Sequence, residues 1–198
     1  MRRLPLLALA CVLLASCNPA VQTAQDFTAS HQPNCTYRGQ MGTVLVILMA
    51  QAVPTASQVP CIELLPAGLS VSDVFVRNGR ARFALDSDRD LGHHVVEVVL
   101  ERSCRLGSVT QVPSDTPGVR RYQEVVEVVP GRRYQGMLYH LFEGGCVTYR
   151  LDFRGGEQAR PLSEVSLALG FVSREALRKT VHDYTEGRLE LDPPAAGG

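Results

Sequence analysis

The segment VSDVFVRNGRARFAL (residues 71–85) constrains the fold more than any other stretch of this 198-residue chain. Asn78-Gly79 separates two runs that alternate apolar and polar residues. Asn-Gly is the preferred pair for a two-residue type I′ turn, because both central positions take φ > 0. Such a loop sets the register: Val76 opposite Ala81, Val74 opposite Phe83 and Ser72 opposite Leu85, with Arg77, Arg80 and Arg82 at the tip or on the wet face. A slip of one residue would turn the whole apolar set to solvent. An antiparallel sheet with one buried face is the first expectation.

The same reading extends along the chain. Residues 43–50 (TVLVILMA) form a buried run rich in β-branched residues, bounded by Gly42 and Pro54, and read as a central strand. Residues 54–66 carry three prolines and read as a loop. Residues 95–101 read as a strand with Val96, Val98 and Leu100 on one face, and residues 122–129 as another. VVEVV occurs in both, but the flanks differ, so no internal repeat is assigned. Residues 146–153 alternate, with Val147, Tyr149, Leu151 and Phe153 inward and Thr148, Arg150 and Asp152 outward. Residues 162–169 make a weaker strand. A helix is predicted over residues 174–186, with Ser173 as N-cap, Glu175 in the first turn and Gly187 as the stop. Leu177, Val181 and Tyr184 form its packing stripe, with Ala176 and Thr180 beside it, and Glu175 and Lys179 are spaced for an ion pair. The fold class is α+β: a β-rich antiparallel sheet or sandwich closed by one C-terminal helix.

The N-terminus speaks for location. Arg2 and Arg3 precede an apolar stretch from Leu4 to Ala15, too short to span a bilayer and suited to a secretory signal. It ends in Leu14-Ala15-Ser16-Cys17, which resembles the lipobox of bacterial lipoproteins. The resemblance implies that the Cys17 thiol receives a diacylglycerol and that cleavage leaves Cys17 as the first, acylated (palmitate-bearing) residue. An ordinary signal peptide with Cys17 unmodified is the alternative. More than one acyl chain gives lasting attachment, each buried CH₂ contributing about 0.8 kcal/mol. The expected organisation is a signal peptide over residues 1–16, a lipidated and flexible tether over 17–34, one globular domain over 35–187 and a loose tail over 188–198. The expected place is the outer leaflet of the plasma membrane. In a cell with two membranes, Asn18 is no retention signal, and the outer membrane is open to the protein.

Export decides how the cysteines are read. Cys11 leaves with the signal and Cys17 carries lipid, so Cys35, Cys61, Cys104 and Cys146 remain, an even number in an oxidising compartment. Three connectivities exist, and Cys35–Cys61 with Cys104–Cys146, each nearest in order, is favoured; free buried thiols are the alternative. No C-x-x-C spacing points to zinc or thioredoxin-type redox chemistry. Lys+Arg and Asp+Glu both number 20, so there is no basic excess for nucleic acid.

Candidate chemistry is sparse. Asp86, Asp88 and Asp90 alternate, and Glu97 stands twelfth from Asp86, as in a calcium loop, but Leu91 occupies the sixth position where the turn glycine belongs. An acidic turn is the favoured reading, and neither a metal nor another cofactor is expected. His93-His94 point to opposite sides of an extended chain. His140, between Tyr139 and Leu141, reads as a packed or edge-strand residue, and His31 and His182 have no chemical company. The pairs Arg120-Arg121 and Arg132-Arg133 mark an anionic-ligand surface or, with Glu124 and Glu127 nearby, ordinary solvated faces, the second being favoured. Gly144-Gly145 and Gly155-Gly156 read as turns around the residue-146 strand. No hydrolase, zinc-protease or phosphate-loop motif is found, so no enzyme activity is expected.

GGCVTYRLDF and LALGFVSREAL resemble segments of exported actinobacterial proteins, a likeness covering residues 35–186. The 19 Arg against one Lys fit a high-GC bacterial genome. That resemblance implies no activity and transfers no functional residue. The leading expectation is a membrane-anchored binding or interaction module of the cell envelope, meeting an envelope protein. A receptor for a small ligand or cell-wall fragment ranks next, and an enzyme with a dispersed site last.

Overall fold

The computed structural model describes residues 32–35, 42–90, 94–154, 165 and 168–192. The signal segment, Cys17, His31, His93, Gly155-Gly156 and residues 193–198 lie outside the described residues.

The elements run α1 (Gly42–Ala52), β1 (Gln58–Ile62), β2 (Leu69–Arg77), β3 (Arg80–Ser87), β4 (Val96–Glu101), β5 (Thr110–Val112), β6 (Arg120–Val129), β7 (Arg133–Phe142), β8 (Gly145–Arg154), β9 (Leu169–Ser173) and α2 (Arg174–Tyr184). Seven strands form one sheet in the order β2-β3-β4-β8-β7-β6-β5, every neighbouring pair antiparallel, and β1 and β9 form a second antiparallel pair. The α+β class holds, with a second, N-terminal helix added to the C-terminal one.

One face of the large sheet is built by residues in register across it. Phe83, Val98, Tyr149 and Leu138 follow one another from β3 to β7, and Leu85, Val96, Leu151 and Gly136 do the same one step along. Val46, Met49 and Val53 from the α1 segment, Val59 and Ile62 from β1, and Leu177 from α2 join this face in one buried cluster. Alternation on β3, β4 and β8 therefore did what period-2 patterning requires, placing every second side chain inside. Val99 is buried on the opposite face, between its cross-strand partners Arg82 and Thr148.

Residues 43–50 are not a strand. They belong to α1, whose buried positions Val46, Met49 and Ala50 follow helical spacing, continued by Val53 just past its end, while Val44 and Leu48 stay exposed. Those two exposed apolar residues erase the polar face that would have marked a helix, and a short continuous apolar run does not distinguish the two structures. The proline-rich stretch is not all loop: β1 contains Pro60, tolerated because among the described residues the side of β1 away from β9 is bridged only at Ile62, by Asn34. In the 162–169 segment Val165 and Ala168 are helical, and β9 starts at Leu169.

The hairpin keeps its register at the tip, Val76 opposite Ala81 and Val74 opposite Phe83, but a bulge at Ser72 brings Val71, not Ser72, opposite Leu85. The turn is not type I′. Gly79 alone takes positive φ, 83°, as a type II turn requires. Its N–H donates to the Ala52 carbonyl at 2.7 Å, so the end of α1 holds the turn.

At α2 the Ser173 hydroxyl accepts from the Ala176 N–H, as an N-cap should. The helix stops at Tyr184, with Gly187 just beyond at φ 75°. Its buried stripe is Arg174, Leu177 and Val181; Tyr184 is 63% exposed and Ala176 is also outside. Glu175 pairs with Arg178 at 2.8 Å and Lys179 with Asp183 at 2.7 Å, replacing the expected Glu175–Lys179 bridge. Arg174, only 5% exposed, donates to the carbonyls of Ala50 (2.7 Å) and Asp192 (2.8 Å), and burial lowers its pKa from the usual range. It caps the end of α1 and ties down the start of the tail, where Leu191 is buried. Of residues 188–192, Leu191 is buried and the Asp192 carbonyl is held by Arg174, while Arg188, Leu189 and Glu190 are exposed.

Candidate functional site

The outer face of the large sheet is ionic where the inner face is apolar. Arg82 on β3 reaches Asp73 on β2 and Glu97 on β4 (3.1 Å), and Glu97 also takes Arg150 on β8 (3.0 Å). Further along, Arg133 on β7 joins Glu127 on β6 (3.2 Å) to Asp152 on β8 (3.1 Å). The hydrogen bonds from Arg133 and Arg154 hold the Asp152 carboxyl below its ordinary pKa.

Beside the first ladder, and sharing Arg150 with it, lies a cleft of about 790 Å³ lined by Arg80, Glu101, Arg102, Arg105, Tyr139 and Arg150, with Glu124 at its wall. Cys104 bonds to Cys146, pinning the 102–109 loop to the start of β8. The Thr148 hydroxyl donates to the Cys104 sulfur at 3.1 Å. Tyr139 donates to Glu124 at 3.0 Å, and burial together with that bond raises its pKa, so the phenol stays protonated. Arg80 and Arg150 already hold Glu101 (3.2 Å) and Glu97. Among the described residues Arg102 and Arg105, both exposed, have no carboxylate partner. A cleft with this excess of guanidinium groups is equipped to accept phosphate or carboxylate oxygens, which the planar fork matches in pairs.

The other disulfide joins Cys35 to Cys61. Both pairings are thus those expected from the order of the cysteines. The four calcium candidates are not assembled around one point. Asp86 accepts the His94 N–H at 2.6 Å, Asp90 accepts the Arg154 N–H, Asp88 lies 3.8 Å from Arg89, and Glu97, 14% exposed, is taken by two arginines in mid-strand. His182 is exposed near Glu190 at 3.6 Å. The paired arginines divide between roles: Arg133 is held in the second ladder, Arg120 lies on the outer face, and Arg121 turns to the inner face opposite His140. Gly144 makes the β7–β8 turn at φ 67°, and a Cβ there would stand 1.8 Å from the Thr55 carbonyl oxygen, so only glycine lets the turn rest on the α1–β1 loop.

Arg102, Arg105, Tyr139 and Arg150 were not singled out as site residues by the sequence. One signal was present: Cys104 is flanked by arginines in RSCR, a basic loop on a disulfide cysteine. No protein-family model matches the chain, and neither a curated protein nor a solved structure shows significant similarity to it.

Proposed function

We propose that this chain is an exported binding module of the cell envelope, anchored through lipid on Cys17, whose outer cleft takes an anionic segment of an envelope polymer. The observation that carries the reading is the pinned pair Arg102 and Arg105, cationic, exposed and without carboxylate partners among the described residues, in a cleft of about 790 Å³. A loop held by a disulfide loses little freedom on binding, which favours recognition by preorganised charge. The anchor rests on the order Arg2-Arg3, apolar run and Leu14-Ala15-Ser16-Cys17. The role is binding, not catalysis. No nucleic-acid partner is proposed.

The test uses the full-length protein in lipid nanodiscs, titrated with a poly(glycerol phosphate) and, separately, with a neutral glucan of similar length. Saturable binding of the polyanion that weakens with salt, and none of the glucan, is the expected result. Equal affinity for both polymers overturns the cleft assignment. Replacing Cys17 with Ala should release the protein from membranes; unchanged membrane association and processing in Cys17→Ala removes the anchor.

A second reading has its own observation. Only residues 121–123 of β6 pair with β5, and beyond them Val125, Val126 and Val128 are exposed on the strand. An edge of this kind accepts an added strand from a protein partner. In-cell cross-linking that captures one envelope protein, lost on Val126→Lys, would favour this reading over the polymer.

A further inference from the structure

On the opposite face of the sheet a small cavity of about 70 Å³ is lined by Arg121, Leu138, His140, Tyr149, Leu151 and Leu169. Arg121 and His140 are direct cross-strand partners on β6 and β7, so their side chains share this face. Phe171 of β9 lies over the His140 ring with centroids 5.4 Å apart, and Tyr149 meets it edge-on at 4.9 Å. These rings, with the three leucines, make the walls apolar.

Against that lining three polar atoms stand out. Both ring nitrogens of His140 and Nε of Arg121 are buried and, among the described residues, have no hydrogen-bond partner. Buried polar groups without partners are few in folded proteins, and each one calls for an explanation. Two of them, the Arg121 Nε–H and the protonated ring nitrogen of the neutral His140, are donors at one cavity, and they point to a group that supplies acceptors. A cavity needs only about 10–15 Å³ to hold one water, so about 70 Å³ takes a carboxylate and the carbons next to it.

We propose that this cavity binds a short aliphatic carboxylate. One carboxylate oxygen accepts from the Arg121 Nε–H and the other from the N–H of His140, while the alkyl part lies against Leu138, Leu151 and Leu169. The positive charge of Arg121 selects an anion over an alcohol of the same shape, because the hydrogen bond it donates is charge-assisted and sheltered from water. The site is independent of the outer cleft and stands or falls separately from it.

Histidine ring ¹⁵N spectra of the full-length protein in nanodiscs, recorded while sodium butyrate is added, read the site directly. Butanol and acetate are the controls. A saturable shift of the His140 nitrogens with butyrate, absent with butanol and smaller with acetate, is expected. Arg121→Gln should weaken butyrate binding about tenfold, and Leu138→Trp, which fills the space, should abolish it with the fold intact by circular dichroism. Unmoved His140 nitrogens would show a cavity that takes no carboxylate, and the same shift with butanol would show one that does not select an anion; either overturns the proposal. An unchanged butyrate affinity in folded Leu138→Trp would do the same.

Discussion

Arg82 and Phe83 are neighbours in β3 and lie on opposite faces of one sheet. Phe83 is fully buried among α1, β1 and the inner residues of β4 and β8; Arg82 is bonded to Asp73 and Glu97 at the surface. The same division recurs at Val98 and Glu97, and at Tyr149 and Arg150. The inner face is closed by two helices and the β1–β9 pair, so its side chains, apart from those at the small Arg121–His140 cavity, are committed to stability. Among the described residues the outer face carries no such cover, and its charges contribute little to folding because water screens them. The face that folding does not need is the one open to a partner as large as a polymer.

The sharpest way to break this contrast is to truncate the inner residue. Phe83→Ala should destabilise the protein by about 3–5 kcal/mol, through lost burial and the cavity left behind, measured by urea unfolding. A loss under 1 kcal/mol, on the scale of exposed ion pairs, would mean the inner face is not a tightly packed core.

The next effect is on pH dependence. Burial first, and then the Arg121 charge, lower the His140 pKa to about 4. Arg121 faces it from β6, Tyr149 from β8 and the uncharged Phe171 from β9. Unfolded, the same imidazole titrates near 6.5. Between these values the unfolded chain holds more protons, so stability falls as pH drops from about 6.5 to about 4 and is level below that range as far as this group is concerned. The whole loss amounts to about 3 kcal/mol. His140→Phe should flatten this segment of the stability profile relative to the parent. Profiles of identical slope would show that His140 is accessible to protons in the folded state.

On the outer face the effects shrink. Glu97→Gln removes the carboxylate shared by Arg82 and Arg150 and should cost about 1 kcal/mol at low salt, less at about 1 M salt, where the screening length is only about 3 Å. A larger, salt-independent loss would place Glu97 among the core residues.

Much of this division is readable from the residues. Alternation around Asn78-Gly79 and along residues 146–153 is enough to assign the two faces of β2, β3 and β8, since period 2 leaves one face to each set. Ser173 and Gly187 frame α2 for equally local reasons. What escapes is whatever depends on distant partners. β7 carries Met137, Tyr139 and Leu141 on its outer face as well as Leu138 and Phe142 on its inner one, so its alternation is blurred. α1 is hidden because Val44 and Leu48 are apolar and exposed. Arg174 is buried only because the α1 end and residue 192 meet it, which no local pattern announces. The cleft gathers a loop with β3, β4, β7 and β8, and the His140–Arg121 pair depends on the β6–β7 register; both arise from strand order rather than from spacing.

The most direct measurement pairs polyanion affinity with unfolding midpoint in the Arg102→Ala, Arg105→Ala double variant. If the outer face recognises and the inner face stabilises, affinity falls about tenfold or more while the midpoint does not move. A shifted midpoint with unchanged affinity would contradict that division, because it would place these arginines in the service of the fold.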